Sequence, residues 1–564
     1  MARIYKLDIK NFRGIKKFSH TFDKSNLVCL VGRGDSGKST ILSAISYALY
    51  PNWNPTFSDA DFYNCDTNNP IEIEVTLVDV PDELLKEDKY GLYIRGIDKE
   101  TKEIKDEFEY NYDYEKALTI KLEIKKDLES KWYVINNRQN PPVQISHYDR
   151  AKLNVFMVSD YLDTLFYWRK GSPLYALLKQ KENLDDFEKD KILTDAIREV
   201  KDKIDNSQFE QFKEVIDTLK LKIEELGVKI PGVSTSIDFK DISIKEGKLS
   251  LHDDKIPLRL KGKGTKRLVS IALQMALSEN SSIILIDEIE QGLEPDRVKH
   301  LVRTLYKNNK GQIFITTHSQ NVIEELEVEN ILRVDNDDGV VECKQVEKKF
   351  QDVIRACPEA IYAKKVIVCE GKTEIGICRA LDDFRIKKGK TNLSALDVVY
   401  TDGGGENLDK RPLKLKELGL NVCVLCDSDN ASLNKKKEGM KNEGIKIFDW
   451  DNNNSIEQQV FNDLPWEAIK ELIEYRESQS SEDSVKDSVN SKYEGELTDG
   501  WKENDSPEIR KALGETAKNK DNAWFKRINH GEFLGSVIFK YFDQIEGKTL
   551  IKQLKGLSEW IDNG

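Results

Sequence analysis

The stretch GRGDSGKS at 32–39 constrains this chain more than any other. Five apolar residues, LVCLV, run into it, and KSTILSAISYAL follows with the composition of a helix. A glycine-rich turn between a buried strand and a helix belongs to α/β folds, where ligands gather at the carboxyl ends of strands. The pattern G-x-x-x-x-G-K-[ST] adds chemistry to that geometry. Amides at a helix N-terminus cradle phosphates, a lysine neutralises the β/γ oxygens and a hydroxyl ligates magnesium. Gly32, Gly34, Asp35, Ser36, Gly37, Lys38, Ser39 and Thr40 are therefore the expected nucleotide-binding residues, with Ser39 also on the metal.

The segment SIILIDEIEQGLEPD at 282–296 supplies the partner motif. Its apolar run places Asp287 at a strand tip for Mg²⁺, and the adjacent Glu288 is suited to activate a water. FITTHS at 314–319 reads as another strand ending at His318, where a γ-phosphate can be sensed; the bland reading is a structural histidine. LKGKGTKRL at 260–268 precedes a helix-like VSIALQMAL, and Gly264, with Gly262 and Thr265, can present donors to phosphate. In FSDADFY at 57–63, Asp59 and Asp61 are candidates for outer groups around the metal.

A second constellation opens with VIVCEGKTEIG at 366–376. The apolar strand delivers Glu370 to its tip, Gly371 allows a sharp turn, and Glu374 falls in the first turn of a helix. VCVLCDSDN carries Asp427 and Asp429 from another strand tip, and their two-residue spacing directs both carboxylates one way. Between them VVYTDGGGENL ends a third strand in Gly403–Gly405, and DNNNSIEQQVF offers Glu457 at the start of a helix. Convergent carboxylates repel one another unless cations neutralise them, and an all-oxygen site suits Mg²⁺ or Mn²⁺. Two such ions roughly 4 Å apart can activate water and stabilise the leaving oxygen of a phosphodiester. The competing reading is that each acid caps its own helix or decorates a loop.

At 564 residues the chain is too long for one core. No apolar run reaches the roughly 18 residues needed to span a bilayer, and the N-terminus lacks a signal-peptide core, so a cytoplasmic protein is expected. Six scattered histidines and eight scattered cysteines argue against zinc. A net charge of −13 speaks against coating DNA over the whole surface but leaves room for local basic guides. RIKKGK (385–390), KRPLKLK (410–416) and NKKKEGMK (434–441) flank the acids, although lysine runs are usually solvated faces. Residues 182–228 read as two amphipathic helices in a hairpin, packing on their own domain or on a second copy of the chain. LFYWRKG (165–171) reads as core packing more than as a base-stacking surface, and ESQSSEDSVKDSVNSK (477–492) as a mobile loop.

The nucleotide motifs resemble the ATP-binding-cassette class of ATPases, and IYKLDIKNFRGI is similar to the branch containing RecF and SMC. In that class two heads sandwich ATP, which implies a homodimer or higher homo-oligomer. The signature candidate lacks the usual serine, so ATP binding is the firmer expectation and fast hydrolysis the weaker one. The order EGKTE, DGGG, DSD resembles the Toprim domain over about 361–460. A head followed directly by Toprim is similar to the OLD family of ATP-dependent endonucleases, including Gabija-type and retron-associated effectors.

That resemblance implies an α/β chain in four parts: 1–80 and 245–345 as the ATPase head, 81–244 as an insertion, and 346–564 as the Toprim nuclease domain. It implies ATP and Mg²⁺ (or Mn²⁺) as cofactors, and DNA as substrate. Glu370, Glu374, Asp427, Asp429 and Glu457 would be its metal ligands, and Lys526 would steady the scissile phosphate. A role in anti-phage defence, beside a helicase or a reverse transcriptase with its DNA product, also rests on resemblance. The alternatives are a nucleotide-switched DNA-binding sensor and a RecF-like repair ATPase, each with a non-catalytic Toprim scaffold.

Overall fold

The computed structural model describes residues 2–158 and 251–563, apart from 23–24, 52–54, 108–112, 154, 254, 279–282, 309–310, 452 and 520–522, plus positions 166, 174, 199 and 202. The helical hairpin expected at 182–228 and most of 165–171 lie outside the described residues, although Phe166 is buried.

Two sheets organise the chain. The first has 14 strands, and its parallel part runs Val155–Val158, Ile283–Ile286, Gln312–Thr316, Leu27–Val31, Ile331–Asp337 in spatial order. The three strands Val155–Val158, Ile283–Ile286 and Leu27–Val31 are continuously apolar, as strands covered on both faces are. Val28 and Leu30 face the helix Lys38–Ala48 and the N-terminal hairpins, whereas Leu27, Cys29 and Val31 face the other way. The sheet continues antiparallel through Arg3–Phe12, Ile71–Val78 and Tyr114–Ile124.

The second sheet has four parallel strands in the order Val398–Asp402, Lys365–Cys369, Asn421–Leu425, Lys446–Phe448. Its Ile367, Cys369, Cys423 and Leu425 pack under the C-terminal helices. Val366, Val368, Val422 and Val424 instead join Leu27, Cys29, Val31, Ile313 and Ile315 in one hydrophobic core. The same core takes in Phe350, Ile354, Cys357 and Ile361, from the segment 348–362 that joins the two sheets in sequence. A shared, close-packed core transmits displacement from one sheet to the other.

The mixed α/β architecture expected from sequence is present. The mobile loop expected at 477–492 is not. That segment finishes the helix Trp466–Gln479 and forms another at Glu482–Asn490. Ser481 caps the second helix, accepting from the Ser484 amide at 3.2 Å, Glu482 and Asp483 occupy its first turn, and Val485 and Val489 are buried one turn apart. Polar composition concealed a cap and an i, i+4 apolar pair. Among the described residues no helix is long and apolar enough to cross a membrane.

Candidate functional site

At the tip of Leu27–Val31 the backbone turns through Gly32, where a Cβ would stand 2.4 Å from the Val334 carbonyl oxygen. Gly37, with φ 97°, caps the helix that begins at Lys38. Lys38 is buried, and its Nζ donates to the carbonyl oxygens of Gly32 (2.9 Å) and Arg33 (2.7 Å) and to Ser36 Oγ (3.2 Å). Burial lowers the Lys38 pKa, with Asp287 and Asp35 opposing. Gly34, Asp35 and Ser39 are exposed, and Thr40 is half-buried. A ring of backbone groups closes around a folded-back ammonium, the geometry of a phosphate loop.

Asp287, just beyond Ile283–Ile286, accepts at Oδ1 from Ser39 Oγ (2.9 Å) and Thr316 Oγ1 (2.6 Å). Ser39 and Asp287, both expected on magnesium, are therefore in direct contact. Glu288 sits in the left-handed region at φ 47°, and its amide donates to Thr316 Oγ1 at 2.7 Å. The strand Gln312–Thr316 ends before His318, whose amide donates to Glu290 Oε1 at 2.6 Å and whose ring stacks on Tyr362 with centroids 6.4 Å apart. Gly264 belongs to the helix Lys263–Ser278 and rests on its own chain's turn, a Cβ there falling 2.5 Å from the Gly292 carbonyl oxygen. Asp61 bonds to Arg13 at 3.0 Å and caps its own turn through the Ser58 amide, so it serves the local fold.

The acid site forms where the Toprim strands end. Glu370 follows Lys365–Cys369, and its Oε2 accepts from the Asp427 amide at 2.8 Å. Glu374 is buried in the first turn of Lys372–Lys387, its Oε2 accepting from the Gly371 amide at 2.9 Å. Asp427 is buried and accepts at Oδ1 from Trp450 Nε1 (3.1 Å) and the Ile456 amide (2.8 Å). Glu457 is fully buried, and neither of its carboxylate oxygens has a hydrogen-bond partner; Lys526 Nζ stands 3.3 Å from Oε1. Gly403 approaches closely too, a Cβ there falling 2.7 Å from the Cys369 carbonyl oxygen.

Electrostatics show that these groups feel one another. Burial pushes Glu374 up to about 7, aided by Glu457 and Glu370. Burial also raises Asp427 well above the carboxylate range, followed by repulsion from Glu374, Glu457 and Glu370. Burial raises Glu370 as well. For Lys526, burial acts to lower the pKa, but Glu457, Asp427 and Glu374 together raise it.

Asp429 behaves differently. It lies beyond the strand, where two-residue alternation no longer holds; it is exposed and pairs with Lys518 at 3.3 Å. Among the described residues, no three acid, histidine or cysteine groups form a ready-made metal cluster. The donor set nonetheless fits a hard cation: one half-exposed ammonium, Lys526, faces Glu457, Asp427 and Glu374, and the negative charge left over is costly to bury.

Lys526, far along the chain, reaches this site because two helices pack through glycines. A Cβ at Gly376 would stand 2.4 Å from the Glu532 amide nitrogen, and one at Gly531 would stand 2.5 Å from the Thr373 carbonyl oxygen. Thr373 Oγ1 then bonds to the Phe525 carbonyl at 2.9 Å. Sequence reasoning missed Trp450 and Lys518, and it gave Lys437 only as one member of a basic run. Lys437 is buried and donates to the Asp427 carbonyl (2.9 Å) and Asp449 (2.8 Å). Three other lysines of the expected basic guides are in ion pairs, Lys390 with Asp562, Lys414 with Asp352 and Lys436 with Asp409.

Residues 3–323, more than half of the chain, match the AAA ATPase domain family, and 361–429 match the Toprim domain of proteins like the overcoming-lysogenization-defect protein. The chain is an OLD-family ATPase–Toprim protein. No curated protein matches this OLD-family chain. Among solved structures it is similar to the Smc head domain of Pyrococcus furiosus bound to the C-terminal domain of ScpA, at 17% identity and TM-score 0.35, covering 63% of this chain and 98% of that one. The recombination mediator RecF is also similar, at 14% identity and TM-score 0.32, covering 61% and 98%.

Proposed function

We propose that this OLD-family protein is a metal-dependent DNA endonuclease whose ATPase head controls cleavage. One observation carries the reading. Glu370, Glu374, Asp427 and Glu457 come from four separate elements to one place, each buried or partly so, and Glu457 has no hydrogen bond. Four carboxylates so placed weaken a fold unless a cation is part of it.

Glu370, Asp427 and Glu457 would hold Mg²⁺ or Mn²⁺, with Glu374 and Asp429 beside them. An ion bound there supplies Lewis-acid stabilisation of charge on the attacked phosphodiester. Trp450 and the Ile456 amide fix Asp427 through Oδ1, so its carboxylate has one orientation. Lys526 is the group that meets a non-bridging phosphate oxygen, its ammonium kept charged by the acids around it.

In the head, Lys38 and the Gly34–Lys38 amides bind the ATP phosphates, Ser39 and Asp287 hold its magnesium, and Glu288 acts on the attacking water. Residues 1–80 and 245–345 are read as the head, 81–244 as its insertion and 346–564 as the nuclease unit, working in the cytoplasm as a homo-oligomer. An anti-phage role, with a helicase or a reverse transcriptase as partner, follows from the family alone.

A second reading, a nucleotide-switched DNA-binding protein with a Toprim scaffold, draws on the way Lys518 and Lys526 close the acid cluster. Incubating plasmid with the protein and Mn²⁺ separates the two. Nicking that Glu370→Ala abolishes supports the endonuclease, whereas no nicking by the wild type leaves the scaffold.

A further inference from the structure

Arg33, the second residue of the phosphate loop, points out of it and into the Toprim unit. Its Nε donates to the Tyr362 carbonyl oxygen and its Nη1 to the Ser394 carbonyl oxygen, both at 2.9 Å. The same Nε lies 2.9 Å from Asp397 Oδ1. Asp397 has φ 59°, and its own carbonyl oxygen accepts from the amides of Lys364 (3.0 Å) and Lys365 (3.1 Å).

One guanidinium therefore ties the phosphate loop to the amino ends of Lys365–Cys369 and Val398–Asp402. The carboxyl ends of those strands carry Glu370 and Gly403, about 16 Å away at about 3.3 Å per residue. Both ends of this link touch groups a nucleotide must disturb. Lys38 Nζ, needed for phosphate, rests on the Arg33 carbonyl at 2.7 Å. His318, at the candidate γ-phosphate position, stacks on Tyr362, whose carbonyl Arg33 holds.

We propose that Arg33 is the arm through which a bound nucleoside triphosphate reaches the acid site. Phosphate oxygens draw Lys38 off the Arg33 carbonyl and compete with Asp397 for the guanidinium, so the tie to the 393–398 turn loosens. The pair is suited to exchange because both side chains are partly solvated, at 35% and 23% exposure, where ion pairs are weak. The inference rests on the proposed control of cleavage by the head, and it names the residues that carry that control.

Hydrogen exchange on the full-length protein, with and without Mg²⁺ and a non-hydrolysable ATP analogue, tests it. In the wild type, saturating analogue should speed exchange of amides in 393–398 at least about threefold. Arg33→Ala should show the fast rate without nucleotide and no further response. Asp397→Asn, which tolerates the left-handed backbone and lies outside the phosphate loop, should behave the same while keeping nucleotide affinity; it decides the matter if Arg33→Ala binds nucleotide poorly. An unresponsive wild type, or an undiminished response in Asp397→Asn, overturns the proposal. Exchange needs no cleavage, so a protein that fails to nick plasmid would sink the endonuclease reading and leave this result standing.

Discussion

Lys526 Nζ lies 3.3 Å from Glu457 Oε1, and Glu457 is fully buried with no hydrogen bond to either oxygen. The lysine is half-exposed, so the acid depends on it more than it depends on the acid. Lys526→Met should therefore destabilise the metal-free protein by roughly 1–3 kcal/mol, the cost of an unpaired buried group. Thermal unfolding in EDTA measures it; an unchanged midpoint would contradict the dependence of Glu457 on Lys526.

Adding Mn²⁺ to chelator-stripped protein should raise the unfolding midpoint, because a ligand that binds only the folded state stabilises it by about 2.7 kcal/mol at a hundred times its Kd. Glu457→Gln should start more stable than the wild type in EDTA and gain less from the metal. Equal gains in both would remove Glu457 from the ligand set.

Trp450 donates to Asp427 Oδ1 and is buried. Trp450→Phe removes the donor while keeping most of the apolar volume. It should cost about 1 kcal/mol of stability. The metal-activation curve for nicking should also move to higher concentration, a shift that loss of packing alone does not produce.

Asp562 is held down to about 2, chiefly by its hydrogen bond from Arg385, with Lys390 contributing. A depressed carboxylate adds stability above its unfolded pKa of about 4 and loses it as pH falls through about 2. The stability gap between the wild type and Asp562→Asn should be full at pH 6 and close as the pH falls from about 5 to about 2. Denaturant unfolding across that window checks the sign; a gap that widens toward acid contradicts it.

Strand-tip chemistry was legible in the sequence because it is local. An apolar run fixes a strand, and the residues just past it are then at its carboxyl end, which places Asp287, Glu370 and Asp427 without any tertiary knowledge. Asp429 shows the limit of such reasoning: alternation stops where the strand stops, so Asp427 is buried while Asp429 is exposed and paired with Lys518, although its charge still acts on Glu370. The contacts of Arg33 with Asp397 and of Trp450 with Asp427 join distant segments, and no residue type announces its partner. Nor does a lysine run announce its partners, since the acids that pair with Lys414 and Lys436 lie elsewhere in the chain.

The most direct measurement is nicking of supercoiled plasmid by the wild type, Asp427→Ala and Glu288→Gln side by side in Mg²⁺ and in EDTA. The account predicts that the wild type nicks only with metal and that Asp427→Ala does not nick. Glu288→Gln should still nick while its ATP turnover falls. Nicking by Asp427→Ala at the wild-type rate would contradict the assignment of hydrolysis to the acid site.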